Sequence, residues 1–122
     1  MRKKLQSQMQ AKQQEFVYQS LNVISQYHTG DTTLNQMRVA QYISWQSDYL
    51  GHAATHQEIC GALDIPAPTV TRAIAKFIPL GWMTEEVDPG DGRKRITTIN
   101  PDTEFHGKLD RKLRNLANKL LK

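Results

Sequence analysis

Several things are scarce in this chain of 122 residues, and each scarcity excludes something. There is one cysteine, Cys60, so no internal disulfide can form; the composition fits a reducing cytosol rather than a disulfide-stapled secreted scaffold. No stretch approaches the ~20 consecutive apolar residues that span a bilayer, so no membrane partner is expected. The opening Met-Arg-Lys-Lys-Leu-Gln-Ser-Gln has a basic region but no apolar run behind it. No signal peptide is therefore expected, and a cytoplasmic location is. A nucleophile elbow, a phosphate loop and a dinucleotide fingerprint are all missing, so neither an enzyme nor a cofactor is expected.

What is present suits one modest core. Hydrophobic residues make up 39% and charged residues 23%, too apolar for disorder throughout. Sixteen Lys and Arg stand against twelve Asp and Glu, a balance of +4 that points mildly to a polyanionic partner. Both charge types concentrate after residue 60, and the basic ones cluster as Arg93-Lys94-Arg95 and between Lys108 and Arg114.

Leu5, Met9, Phe16, Val17, Leu21, Ile24 and Tyr27 recur mostly at three- and four-residue steps, which predicts one long helix over residues 4–27. Its apolar stripe is thin before Phe16, so that part needs a partner or frays. A solvated extension and a dimer strut are the two readings. A second helix is expected from Leu34 to about Tyr49, ended by Gly51. Thr55-His-Gln-Glu58 then reads as a capping box opening a short helix with Ile59, Cys60 and Leu63 inward. Pro66 stops it, and Pro68 suits the first turn of a helix running to about Leu80. Two short helices joined by a tight turn are a helix-turn-helix signature.

The later helix of that pair divides cleanly. Val70, Ile74, Phe77 and Ile78 fall on one side; Pro68, Thr69, Arg72 and Lys76 fall opposite, with Thr71 and Ala75 on the flanks. The outward face carries hydroxyls and cations and no acid, which is what major-groove reading requires. A plain solvated face would look similar in an isolated helix. The hairpin predicted from Trp82 to Ile99 narrows the choice. Asp-Pro and Asp-Gly form its turn, and Arg93, Lys94 and Arg95 follow the tip, so the hairpin reads as a wing whose cations meet DNA phosphate or the minor groove. Asn100 is then expected to cap a last helix with Pro101 in its first position. Phe105, Leu109, Leu113, Leu116 and Leu120 make that helix amphipathic and point to packing on another helix. The fold class expected is mainly α with a small β-hairpin: a winged helix-turn-helix over residues 31–100, flanked by dimerisation helices over 1–30 and 101–122. Phe16, Leu21, Leu109, Leu113, Leu116 and Leu120 are the interface candidates.

His52, His56 and Cys60 are spaced four apart, as ligands on one helix would be, but His52 precedes the helix and a zinc tetrahedron stays incomplete, so no metal is expected. Asp88 and Asp91 lack the twelve-residue calcium-loop pattern, and turn chemistry accounts for both.

The order of parts resembles the MarR family of bacterial transcription regulators. Thr69-Val-Thr-Arg72 resembles the family's recognition-helix core, and Leu80-Gly-Trp-Met-Thr-Glu85 the "kGli-R" step into the wing. Asp88-Pro-Gly-Asp-Gly-Arg93 resembles the D-P-x-D-x-R wing tip. Ile99-Asn-Pro-Asp102 is similar to the "L-T-P-E" that opens the next helix. The likeness covers about residues 34–110. It implies a homodimer on pseudo-palindromic double-stranded DNA, usually a repressor, often with a small-molecule effector. Thr69, Thr71, Arg72, Lys76, Arg93, Lys94 and Arg95 are the DNA-contact candidates, and Asp91 and Gly92 the wing-structure residues. The chain departs from the family in its single C-terminal helix, which implies a reduced effector cleft, and in Pro66-Ala67-Pro68, where the family usually has serines. The competing readings are a replication, partition or architectural DNA-binding factor of a mobile element, and a winged-helix adaptor for a protein partner.

Overall fold

The computed structural model describes residues 2–100 and 103–121, with the side chains of residues 2–6 and 104–106 outside the description. The elements in order are α1 (Arg2–Gln26), α2 (Leu34–Ser44), a π-helical turn (Trp45–Tyr49), β1 (Ala54–Thr55), α3 (His56–Leu63), α4 (Ala67–Phe77), β2 (Met83–Asp88), β3 (Asp91–Ile99) and α5 (Glu104–Leu121). The mainly α architecture with a small hairpin is the one the sequence predicts. The chain divides into two compact units, residues 31–106 and residues 1–30 with 107–122. No helix among the described residues is long and apolar enough to cross a membrane.

In the 31–106 unit, α2 opens on a capping box that sequence reasoning overlooked. Gln36 N–H donates to Thr33 Oγ1 at 3.1 Å, and Thr33 N–H donates to Gln36 Oε1 at 2.9 Å. At the box expected at Thr55, Glu58 N–H donates to Thr55 Oγ1 at 3.1 Å. The Glu58 carboxylate also accepts from His52 Nε2 at 2.6 Å. Partial burial raises the Glu58 pKa, but the His52 hydrogen bond and charge, with the Thr55 bonds, outweigh it and leave the carboxyl below its ordinary value.

Helix α3 stops at Asp64, which adopts the left-handed conformation at φ 54°. Arg38 Nη2 donates to the Leu63 carbonyl at 2.8 Å, so a cation satisfies an end carbonyl of the short helix. Helix α4 begins with Pro68 in its first turn, as the sequence predicts, and ends at Phe77 rather than Leu80. Gly81, at φ 77°, supplies the positive φ that turns the chain into β2.

The three strands lie in the order β1-β3-β2, all antiparallel. The register pairs Met83 with Ile99 and Thr55 with Ile96, with an irregularity at Val87/Asp88 near the tip. Val39, Ala40 and Ile43 of α2, Ile59 of α3, Val70, Ala73, Ile74 and Phe77 of α4, and Met83 and Ile99 of the sheet form one buried core. The Phe77 ring stacks on Trp82 at 5.2 Å between centroids.

Three expectations change. The second helix does not run regularly to Tyr49; its last turn widens into the π form, where Ser47 Oγ accepts from Ile99 N–H at 3.1 Å. Ile78, expected inward, is exposed because it falls past the helix end. The last helix does not start straight after Asn100, the expected cap: α5 begins at Glu104, and the Asn100 side-chain amide donates to the Gly81 carbonyl at 3.0 Å. Pro101, placed in that helix's first position, lies outside the described residues.

In the other unit, α1 and α5 run in opposite senses. Lys112 Nζ lies 5.3 Å from the centre of the Tyr27 ring near the end of α1. At the far end, Met9, Lys12 and Gln13 share a cavity with Leu120 and Leu121. Leu109, Leu116 and Leu120 are buried and Leu113 half-buried, while Phe16, Val23 and Ile24 of α1 and Tyr27 just after it are half-buried.

Candidate nucleic-acid interface

Helix α4 buries Val70, Ala73, Ile74 and Phe77 and turns its other side to solvent. Pro68, Thr71, Arg72 and Ala75 are exposed, and Thr69 and Lys76 are half-buried. Thr71 and Ala75, expected on the flanks, are thus as open as Arg72, whereas Thr69 is partly covered. Arg72 makes no ion pair among the described residues. Lys76 differs: its Nζ sits 3.2 Å from Asp31 Oδ1, a carboxylate supplied by the loop before α2. Asp31 lies far from α4 in sequence, and no local signal announces the pair.

The hairpin turns through Asp88-Pro89-Gly90-Asp91, and both acids fold the turn. Gly90 N–H donates to Asp88 Oδ1 at 2.9 Å, and Arg93 N–H donates to Asp91 Oδ1 at 3.0 Å. These two-residue loops are how an aspartate shapes a tight turn, which matches the chemistry expected of them. Gly92 follows, exposed, with open space where a Cβ would stand. Arg93 and Lys94 are exposed and make no ion pair among the described residues. Arg95 Nη1 instead bonds Glu85 Oε1 at 3.2 Å across the strands. The five candidate cations therefore divide: Arg72, Arg93 and Lys94 are open, and Lys76 and Arg95 are each held by an acid.

The short strand β1 brings a further segment to the wing. Pairing of Thr55 with Ile96 sets the start of α3 beside the three cations. Thr55, His56, Gln57, Arg93, Lys94 and Arg95 line one groove of about 310 Å³. His56 Nε2 is buried 3.6 Å from Glu85 Oε1. Sequence reasoning did not place His56 and Gln57 here, because a two-residue strand is too short to show periodicity. Its one trace is the β-branched Thr55 next to Ala54. His52 and His56 face two different carboxylates, Glu58 and Glu85, and among the described residues no group of three or more His, Cys, Asp and Glu is placed to hold a metal. Cys60 is half-buried against the core.

On α1, Val17, Tyr18 and Leu21 are exposed beside the half-buried side that carries Phe16 and Ile24. Of the six interface candidates, Leu109, Leu116 and Leu120 are buried within the chain, Phe16 and Leu113 half-buried, and Leu21 open.

No protein-family profile matches the sequence, and no curated protein matches it. Solved structures do share the fold. A point mutant of MepR from S. aureus bound to an oligodeoxyribonucleotide aligns with a TM-score of 0.64 at 16% identity, over 89% of this chain and 75% of that one. The S. aureus MepR–DNA complex aligns at 0.59 and 19% identity, over 97% and 86%. A mutant of MarR from E. coli complexed with operator DNA aligns at 0.55 and 17%, over 87% and 71%. These are winged-helix regulators of the MarR type, and their fold is the one seen here.

Proposed function

We propose that the chain is a sequence-specific, double-stranded DNA-binding transcriptional regulator of the MarR type, acting as a homodimer. The observation that carries this reading is the outward face of α4. It presents Thr71, Arg72 and Lys76 without an acid of its own, opposite a fully buried apolar face, in a fold shared with regulators solved on DNA. In this reading α4 enters the major groove, where Arg72 grips guanine and the threonines reach bases or a thymine methyl. Thr69 contributes less than Thr71, being partly covered. Arg93, Lys94 and Arg95 hold phosphate, with His56 and Gln57 forming the opposite wall of the groove.

An exposed apolar stripe on α1 supports the two-fold pairing in this reading. The exposed Val17, Tyr18 and Leu21 give α1 an apolar stripe that a second copy would cover. A dimer sets two recognition helices about 34 Å apart, one helical turn of DNA, on a pseudo-palindromic operator. Repression follows where such an operator overlaps a promoter. Sedimentation of the protein with a duplex carrying a selected site tests the assembly: two protomers per duplex support it, and a single protomer at every concentration would sink it.

A further inference from the structure

Charge is divided between the two units in the opposite way to that a winged-helix DNA binder would lead one to expect. Residues 31–106 hold six Lys and Arg against ten Asp and Glu, a balance of −4. Residues 1–30 and 107–122 hold ten against two, a balance of +8. A balance of that size on a small helical unit is self-repelling and costs stability, so helix packing alone gives no reason for it.

The excess is ordered along α5. At 100° per residue, Lys108, Arg111, Lys112, Asn115, Asn118 and Lys119 fall within about 120° of arc, and all six are exposed. From Lys108 to Lys119 no acid lies on this stripe, although Glu104, at the start of α5, stands on the same side one turn earlier. Between Gly107 and Leu121 the helix has one acid, Asp110, and its Oδ2 is held by Arg114 at 2.6 Å on another side. The stripe is centred well away from the buried Leu109, Leu116 and Leu120, and its one ring contact is that of Lys112 with Tyr27 among the described residues. Lys108, Arg111, Lys112 and Asn115 line an open cavity of about 550 Å³ with Gln26 and Tyr27, wide enough to seat a phosphodiester.

We infer that the exposed side of α5 is a second nucleic-acid surface, which holds the phosphate backbone of double-stranded DNA without reading its sequence. From Lys108 to Lys119 the stripe runs about 16 Å, and duplex DNA offers a phosphate every ~3.4 Å along each strand. Cations and amides suit phosphate; nothing on the stripe tells one base from another. A lipid surface is the weaker occupant, because an interfacial helix must insert its apolar side, and Leu109, Leu116 and Leu120 of α5 are already buried. The inference takes its partner from the proposed reading but not its site. Sequence choice stays with α4, and α5 adds affinity and salt dependence.

The test compares wild type, the triple variant Lys108→Gln/Arg111→Gln/Lys112→Gln, and the double variant Arg72→Ala/Lys94→Ala. Each is titrated with a random 30-base-pair duplex, a selected-site duplex, and phosphatidylserine–phosphatidylcholine vesicles at several salt concentrations. The triple variant should bind random duplex about tenfold or more weakly, and its slope of log affinity against log salt should fall by about two to three per protomer. Its ratio of selected to random binding should not change. If its affinity and slope equal those of wild type while the double variant loses base preference, the α5 surface is overturned and the proposed function stands. If no form of the protein holds duplex, both fall. Loss of vesicle binding with duplex binding intact would assign the stripe to lipid and overturn the proposal. Glutamine keeps helix propensity, and should the triple variant fail to fold, Arg111→Gln alone decides the matter through a slope lower by about one.

Discussion

Replacing Arg72 or Lys76 by alanine separates two cations that stand about one turn apart on the same helix and that folding treats differently. Arg72 is exposed and unpaired among the described residues, so Arg72→Ala should change stability by no more than about 0.5 kcal/mol. Its whole effect should fall on DNA. A bidentate contact to guanine contributes about 1–3 kcal/mol of discrimination, roughly 5- to 150-fold between the best site and a site changed at that base pair. Lys76 is half-buried and its Nζ lies 3.2 Å from an Asp31 carboxylate that is mostly in water. Such a pair contributes about 0.2–1 kcal/mol, so Lys76→Ala should lower stability slightly. Its DNA effect should be smaller, because Lys76 must leave Asp31 to reach a phosphate. Urea titration reads the stability of each variant, and fluorescence anisotropy on selected and random duplexes reads its binding. Arg72→Ala should weaken the selected site more than random DNA and relax preference at one base position in each half-site. A uniform loss on both duplexes, or a change of base preference in Arg95→Ala instead, would refute the division of roles between α4 and the wing.

The remaining expectations concern the scaffold. Phe77 is fully buried and stacked on Trp82, so Phe77→Ala should cost about 3–5 kcal/mol in urea unfolding. Thr97 is also fully buried, and its hydroxyl has no hydrogen-bond partner among the described residues; Thr97→Val should therefore raise stability by about 1 kcal/mol, and a loss of that size would show that the hydroxyl is bonded after all. Glu58 has a depressed pKa in the folded chain, so its stabilisation is complete above the ordinary carboxylate pKa and is lost as pH falls through the lower folded value. Glu58→Gln should accordingly flatten the acid limb of stability against pH while leaving DNA binding at neutral pH unchanged.

The parts of the fold legible in the sequence are those with strong local signals. The apolar spacing of α4 from Val70 to Phe77 and the Asp-Pro-Gly-Asp turn fix their own conformation and appear where expected, while α4 ends before Leu80 and α3 closes on a left-handed Asp64 two residues ahead of Pro66. The features that escape depend on distant partners. A π-helical turn at Trp45–Tyr49 widens where Ser47 meets the sheet, and β1 is a strand only because Ala54 and Thr55 pair with β3. Asn100 has the chemistry of a helix cap, yet α5 begins four residues later at Glu104, and the Asn100 side-chain amide reaches back to the Gly81 carbonyl. The candidate site divides along the same line. Which side of α4 faces water follows from periodicity, but the capture of Lys76 by Asp31 and of Arg95 by Glu85 does not, since each acid comes from another element. A count of cations from sequence alone weights all five equally, whereas the fold leaves three open.

The central claim is sequence-specific recognition by a symmetric pair of recognition helices. Selection of bound sequences from a random duplex pool tests it most directly. Paired helices should enrich a pseudo-palindrome with half-site centres about 10 base pairs apart, the spacing that a separation of roughly 34 Å imposes. A pool that shows no enrichment, or one enriched for a lone half-site bound by a single protomer, would contradict it.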